Sequence, residues 1–167
     1  MAGGAFDLVV CRHVLQAIPH ADQAIGELVR VTRAGGWVHF IAEDYLMIHF
    51  ERRRFDADAF WSLGPKQFGE ATGTDLSIGR NAYGILRRLG LSDIRIDYIV
   101  VDPLRVARET FAAIWTAWRD GYADAIATHT TVSREAFVEH FDDMIGTIRD
   151  PSAYAVWHVP VVAARVP

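Results

Sequence analysis

Three groups of side chains in this sequence are of types that can do chemistry. Cys11, Arg12 and His13 stand in a row at the end of an apolar run. A guanidinium pairs with carboxylates through parallel hydrogen bonds. An imidazole, with an ordinary pKa of about 6.5, can take a proton from a hydroxyl. Arg12 is therefore a candidate for holding an acidic group and His13 a candidate general base. The plain alternative makes Cys11 a small buried hydrophobe and Arg12 half of a structural ion pair. Glu43, Asp44 and Tyr45 close a second apolar run and can contact a hydroxyl or amine, or simply turn a solvated loop. His49, with Arg52, Arg53 and Arg54 nearby, can attract an acidic ligand, although an arginine run also reads as a solvated face. Phe111, Trp115, Trp118 and Tyr122 recur at helical spacing. Trp115 and Trp118 are candidates for lining an apolar substrate pocket under a helical lid, or for plain core. No metal is expected: the seven histidines show no ligand spacing and the single cysteine has no thiolate partner. No Gly-x-Ser-x-Gly turn supports nucleophilic catalysis.

These residues must be positioned by an alternation of strands and helices. The run over 6–11 reads as a strand covered on both faces, as in a parallel sheet. A helix is predicted over 22–32, opened by Pro19 and Asp22 and closed by Gly35 and Gly36. A second buried strand is predicted over 37–42, making a strand–helix–strand crossover. A short helix over 56–63 has Asp56 as its cap. Ile78, Ala82, Ile85, Leu86 and Leu89 share a face over 78–89, and Gly90 with Leu91 suits a Schellman end. A strand follows over 94–101, then a helix over 105–122 and another from Arg134 capped by Ser133. The last strand is predicted over 154–164, with a bulge or a missing ladder bond at Pro160.

The chain has 167 residues, 51% of them apolar, and a formal net charge of −4. That size suits a single domain, and the apolar fraction excludes disorder as the main state. The acidic balance argues against non-specific nucleic-acid binding. No apolar run approaches the roughly 20 residues that span a bilayer, and the start, from Met1 to Ala5, lacks the features of a signal peptide. One cysteine makes no internal disulfide, so a cytoplasmic setting is expected.

Taken in order, the pieces resemble the C-terminal half of a class I S-adenosylmethionine-dependent methyltransferase. The resemblance is most specific in Phe6-Asp7-Leu8-Val9-Val10-Cys11-Arg12-His13-Val14-Leu15-Gln16 and in Glu27-Leu28-Val29-Arg30-Val31-Thr32-Arg33-Ala34-Gly35-Gly36. Ala34 stands where the family usually has proline, and Ala17 where many members have histidine. Gly79-Arg80 and Val156-Trp157-His158-Val159-Pro160 are similar to members that act on small molecules. The resemblance implies an α/β fold, a partial Rossmann-like sheet with strands in family order 4-5-7-6. The last strand is antiparallel and a helical insertion or lid lies over 103–150. It implies that Cys11, Arg12 and His13 lie beside the cofactor, S-adenosylmethionine; Asp44, Tyr45, His49, Trp115 and Trp118 remain the candidates, from their own types and positions, for contacting a small-molecule substrate.

The family's glycine-rich turn after a first strand, and the acidic residue ending its second, have no counterpart; Gly3-Gly4 precedes a strand instead. At mean element lengths the difference is on the order of 80–100 residues. The resemblance therefore implies a truncated methyltransferase that needs a missing N-terminal half or a second chain. It leaves 6–11 as an apolar edge, open to a homo-oligomer or a complementary chain. Two alternatives stay open: a non-catalytic oligomerisation or partner-binding module, and a re-purposed small-molecule pocket.

Overall fold

The protein is described by a computed structural model covering residues 3–167, so of the first five residues Met1 and Ala2 lie outside the described part. The elements run β1 (Phe6–Arg12), α1 (Ala21–Val31), β2 (Thr32–Ile41), β3 (Ile48–Phe50), α2 (Ala57–Thr72), α3 (Ile78–Arg88), β4 (Ser92–Val101), α4 (Arg108–His129), α5 (Arg134–Arg149) and β5 (Ala155–Arg165). They form two compact units. One holds the residues up to Asp44, Gly73–Ile99 and Val159–Pro167; the other holds Tyr45–Thr72 and Val100–His158.

In the first unit β1 runs parallel to β2, and β2 runs antiparallel to the second half of β5. β4 pairs with β5 as well. The order β1-β2-β5-β4 is the expected 4-5-7-6, with the expected antiparallel last strand. Helices α1 and α3 supply Ile25, Ala82, Ile85 and Leu86 to a core that includes Val38, Phe40, Val162 and Ala164, with Val9 and Cys11 packed against it. That core lies on one face only. Phe6, Leu8 and Val10 are 42%, 56% and 45% exposed, so β1 is not covered on both faces as its apolar run suggests. Alternation along a strand sends every second side chain to the opposite face.

The glycine pair at 35–36 also has a different job from the one expected. Helix α1 ends at Val31, with Thr32 already extended and its hydroxyl bonded back to the Leu28 carbonyl. Phe6 then pairs with Thr32 while Leu8 pairs with Trp37, so the residues between form a large bulge in β2. Gly35 takes a φ of +73° there, and a Cβ on Gly36 would lie 2.9 Å from the Asp7 and Arg33 carbonyl oxygens. The glycines serve the bulge, not the helix end. Helix α3 ends as predicted: the Gly90 N–H reaches Arg87, the Leu91 N–H reaches Leu86, and Leu91 is buried.

In the second unit α2 continues nine residues beyond 63, through Pro65. Phe60, Trp61, Gly64 and Pro65 are all buried, so packing overrides the hydrogen bond that proline removes. Asp56 caps the helix as predicted, accepting from the Ala59 N–H at 3.0 Å. Along α4 the buried stripe passes from Phe111 and Trp115 to Ala123 and Ile126, leaving Tyr122 exposed. At about 100° per residue Tyr122 lies only about 20° from the line of Phe111, so the periodicity places it on this face and packing alone leaves it uncovered. Ser133 caps α5, and Phe137, Phe141, Met144, Ile145 and Ile148 are buried on its apolar face. The first half of β5 pairs antiparallel with β3, a strand too short for its pattern to show in the sequence. The two registers on β5 stop at Trp157 and resume at Val161, so the expected irregularity at Pro160 falls between them. Among the described residues no helix is long and apolar enough to cross a membrane.

Candidate functional site

Strands β1 and β2 run side by side in the same direction, with Arg12 opposite Ile41. Parallel strands deliver the residues after their C-terminal ends to one edge of the sheet, where α/β folds place their chemistry. His13 follows β1 and Glu43 lies two residues after β2. The His13 Nδ1 lies 2.8 Å from the Glu43 Oε1. Backbone fixes both partners. The His13 N–H donates to the Ile41 carbonyl at 2.9 Å, the Ala42 N–H to Pro160, and the Gly79 N–H to the Glu43 carbonyl. His13 itself has a φ of +52°, a left-handed conformation that is uncommon outside glycine and tends to mark constrained sites.

Glu43 is 4% exposed while the His13 side chain is half exposed. The second Glu43 oxygen, Oε2, is buried with no hydrogen-bond partner among the described residues. Leaving a buried acceptor unpaired costs about 1–3 kcal/mol. Asp44, the next residue, is treated differently. It is fully buried, and Arg80 meets both of its oxygens, Nε to Oδ2 at 2.5 Å and an Nη to Oδ1 at 2.8 Å. Hydrogen bonding to Asp44 holds the Arg80 guanidinium above its ordinary pKa. Arg80 reaches Asp44 because the first turn of α3 lies directly on the exit of β2. A Cβ on Gly79 would sit 2.6 Å from the Ala42 carbonyl oxygen and 2.7 Å from the Pro160 ring.

Of the other residues singled out by sequence, Cys11 is partly buried at the end of β1, and burial pushes its thiol pKa up. The thiol is therefore neutral at physiological pH. Arg12 is exposed beside it. So Cys11, Arg12, His13 and Asp44 belong to the first unit. That unit also has a cleft of about 480 Å³ lined in part by His20, Asp22, Asp75, Arg80, Asn81 and Arg88. Two of its charges are engaged: Asp75 takes the Asn81 amide and the Ser77 N–H, and Arg80 holds Asp44.

Tyr45, His49, Trp115 and Trp118 belong to the second unit. Tyr45 stacks on Trp61 at 5.6 Å and meets Trp118 edge-on at 5.1 Å. Trp115 is fully buried, ringed by Phe50, Trp61, Phe111, Trp118, Phe141 and Trp157. The indole nitrogens of Trp61, Trp115 and Trp157 are buried without a hydrogen-bond acceptor among the described residues. Edge-to-face packing sets positive ring edges against π faces, the arrangement of most of the ring pairs around Trp115. His49 stands apart, exposed and 3.4 Å from Asp58.

Sequence reasoning noted Glu43 but could not see its bond to His13, thirty residues away. The available signal was that both directly follow strands predicted to be parallel neighbours. It missed Asp102 altogether. This buried carboxylate accepts from the Leu104 and Arg105 N–H groups, the Tyr154 hydroxyl and the Arg105 guanidinium. No sequence motif marks such a turn.

The strand order, the one-sided helical layer and the polar groups at the ends of β1 and β2 define an α/β protein with a Rossmann-like partial sheet. Residues 1–40 match the sequence model of the family described as "Methyltransferase domain". Among solved structures, the chain is similar to a Bacillus halodurans protein assigned as a methyltransferase, with 14% identity, 100% of this chain and 67% of that one covered, and a TM-score of 0.50. This likeness shows the fold, the Rossmann-like fold of class I methyltransferases. The chain is also similar to Haemonchus contortus phosphoethanolamine N-methyltransferase 2, at 17% identity over 99% of this chain and 35% of that one, TM-score 0.47. It therefore spans about a third of the length of that enzyme. No curated protein sequence matches the chain.

Proposed function

We propose that these residues form one side of an S-adenosylmethionine-dependent methyltransferase site for a small-molecule acceptor. The observation that carries this is the His13–Glu43 pair at the joined ends of β1 and β2, within and beside the segment that matches the methyltransferase-domain sequence. The side chains fit one wall of such a cofactor site. Arg12 is exposed at the strand end with a guanidinium for a carboxylate, and Cys11 presents a small neutral surface. The glycine-rich turn is supplied by polypeptide outside these residues, in the same chain or a second one. The cofactor supplies an electrophilic methyl group. Arg12 holds the ligand's carboxylate, His13 takes the acceptor's proton, and the strand ends hold the reacting groups close and oriented.

Calorimetry with S-adenosylhomocysteine tests the reading, using the natural protein with whatever polypeptide flanks or accompanies these residues. Binding that Arg12→Ala weakens about tenfold is expected, the loss of one charge-assisted pair. No heat and no thermal shift at millimolar ligand overturns it. A second reading, a partner-binding module that pairs through the β1 edge with a second copy or a complementary chain, is favoured by the exposed Phe6, Leu8 and Val10. Light scattering after size-exclusion chromatography tests it, and a monodisperse monomer counts against it.

A further inference from the structure

We propose that Glu43 is a positioning residue for His13, fixing the imidazole as the tautomer with hydrogen on Nδ1 and the lone pair on Nε2. An ionised carboxylate has only acceptors to offer, so a 2.8 Å contact between Nδ1 and Glu43 Oε1 requires Nδ1 to be the donor. In the neutral ring the remaining nitrogen, Nε2, then carries the lone pair. Of the two ring nitrogens it is the one that can accept a proton from a substrate.

Three observations separate this from an ordinary structural contact. Glu43 is buried and His13 is half exposed, so the pair joins a fixed member to an accessible one. Backbone bonds lock both ends: His13 N–H to Ile41, and Gly79 N–H to the Glu43 carbonyl. Finally, the neighbouring Asp44 shows what a purely structural carboxylate looks like here, with both oxygens met by Arg80. Glu43 commits one oxygen to the imidazole and keeps Oε2 unpaired and buried. That geometry suits a carboxylate whose work is to orient a ring and face the positive charge formed when the ring is protonated.

The inference rests on the methyl-transfer reading only for its catalytic consequence. In that step the proton of the acceptor's O–H or N–H bond passes to His13 Nε2. The bonding pair stays on the acceptor and forms the new bond to the methyl carbon, whose former bonding pair leaves on the cofactor's sulfur. The tautomer itself is a property of the protein without any ligand.

The test is ¹⁵N NMR of the histidine side chains at about pH 8, above the ordinary imidazole pKa, with His13→Gln assigning the His13 signals among the seven histidines. The wild type is expected to show one tautomer with hydrogen on Nδ1. Glu43→Ala is expected to shift His13 toward the Nε2–H form that free histidine favours. Glu43→Gln, which keeps the shape and can either accept or donate, is expected to give a mixture. If Glu43→Ala does not fold, the Gln variant alone is read. A wild-type ring with hydrogen on Nε2, or a tautomer unchanged in the variant that is read, overturns the proposal. In the natural protein, Glu43→Ala is expected to lower kcat for methyl transfer by up to about 100-fold with KM little changed. The two readings fail separately. A protein that binds no S-adenosylhomocysteine but shows the Nδ1–H tautomer loses the function and keeps the positioning. A protein that binds it while His13 carries its hydrogen on Nε2 loses the positioning and keeps the function.

Discussion

The strand ends of the first unit and the aromatic core of the second use their polar atoms in opposite ways. At the ends of β1 and β2, His13, Glu43, Asp44 and Arg80 are tied into specific pairs by short hydrogen bonds. Around Trp115, three indole N–H groups are buried with no acceptor among the described residues, and ring edges pack on ring faces. A hydrogen bond is directional and fails over a fraction of an ångström, so the first region can specify where a proton lies. Ring packing is additive over large areas and tolerates small shifts, so the second region contributes stability and says little about orientation. Chemistry is therefore to be sought first where residues are few, short-range and individually placed.

The largest effect is expected from the aromatic side. Trp115→Ala removes a fully buried indole from contact with six other rings. Large-to-small changes of this kind cost about 3–5 kcal/mol. Guanidinium denaturation followed by circular dichroism should show that loss. The His13 tautomer should stay as in the wild type, provided the protein remains folded. A change of less than about 1 kcal/mol would mean that Trp115 is not the centre of a packed core.

Gly79→Ala attacks the other region. The added Cβ would fall 2.6 Å from the Ala42 carbonyl oxygen, in backbone that has no rotamer to move. Overpacking of this sort costs about 1–3 kcal/mol. Because Ala42 leads directly into Glu43 and Asp44, the variant should also disturb the His13 ¹⁵N signals. Equal stability and unchanged signals would show that α3 does not set the position of these carboxylates.

The same contrast explains what was legible in the sequence. The aromatic stripe was visible because burial repeats every three or four residues, and Phe111 and Trp115 fell where the period put them. Tyr122 falls on the same line and is exposed all the same, because a period locates a face and not how far along the helix that face is covered. The order of the sheet was legible through a resemblance carried by Phe6 to Gln16 and Glu27 to Gly36. The exposure of Leu8 and Val10 was not, because an apolar run says nothing of which face is covered. The pairing of His13 with Glu43 depends on a parallel register between β1 and β2, a long-range property that neither residue's neighbours encode. Gly36 suits a helix end or a bulge equally well in sequence, and only the register shift opposite Asp7 distinguishes the two.

A smaller effect is expected where a single local bond is lost. Ser133 accepts from the Ala136 N–H at 3.1 Å and opens α5, a helix that carries Phe137 and Phe141 into the aromatic core. Ser133→Ala should cost about 1 kcal/mol. Ser133→Asp, which restores the cap and adds favourable charge at the helix start, should recover it in the same denaturation experiment.

The smallest effect at neutral pH, and the one with a sign that can be checked, concerns Asp102. Burial opposes its ionisation, but the Leu104 N–H, the Tyr154 hydroxyl and Arg105 outweigh that and hold its pKa below the usual carboxylate value. For Tyr154, burial and the carboxylate both push the phenol pKa up, so the hydroxyl remains a donor across the physiological range. A carboxyl whose pKa is lower folded than unfolded stabilises the fold above the unfolded pKa, about 3.9. That contribution is lost as pH falls through the folded value. Tyr154→Phe removes one of the groups holding the pKa down, so its difference in stability from the wild type should be present at pH 6–7 and shrink on acidification below about pH 4. Urea titrations of both proteins across that range would show it. A difference that grows toward acid would mean that the carboxyl is protonated in the native state and that the turn at Asp102 is held by the backbone, through the Arg105 and Val106 N–H bonds to the Asp102 carbonyl at 3.1 and 2.9 Å.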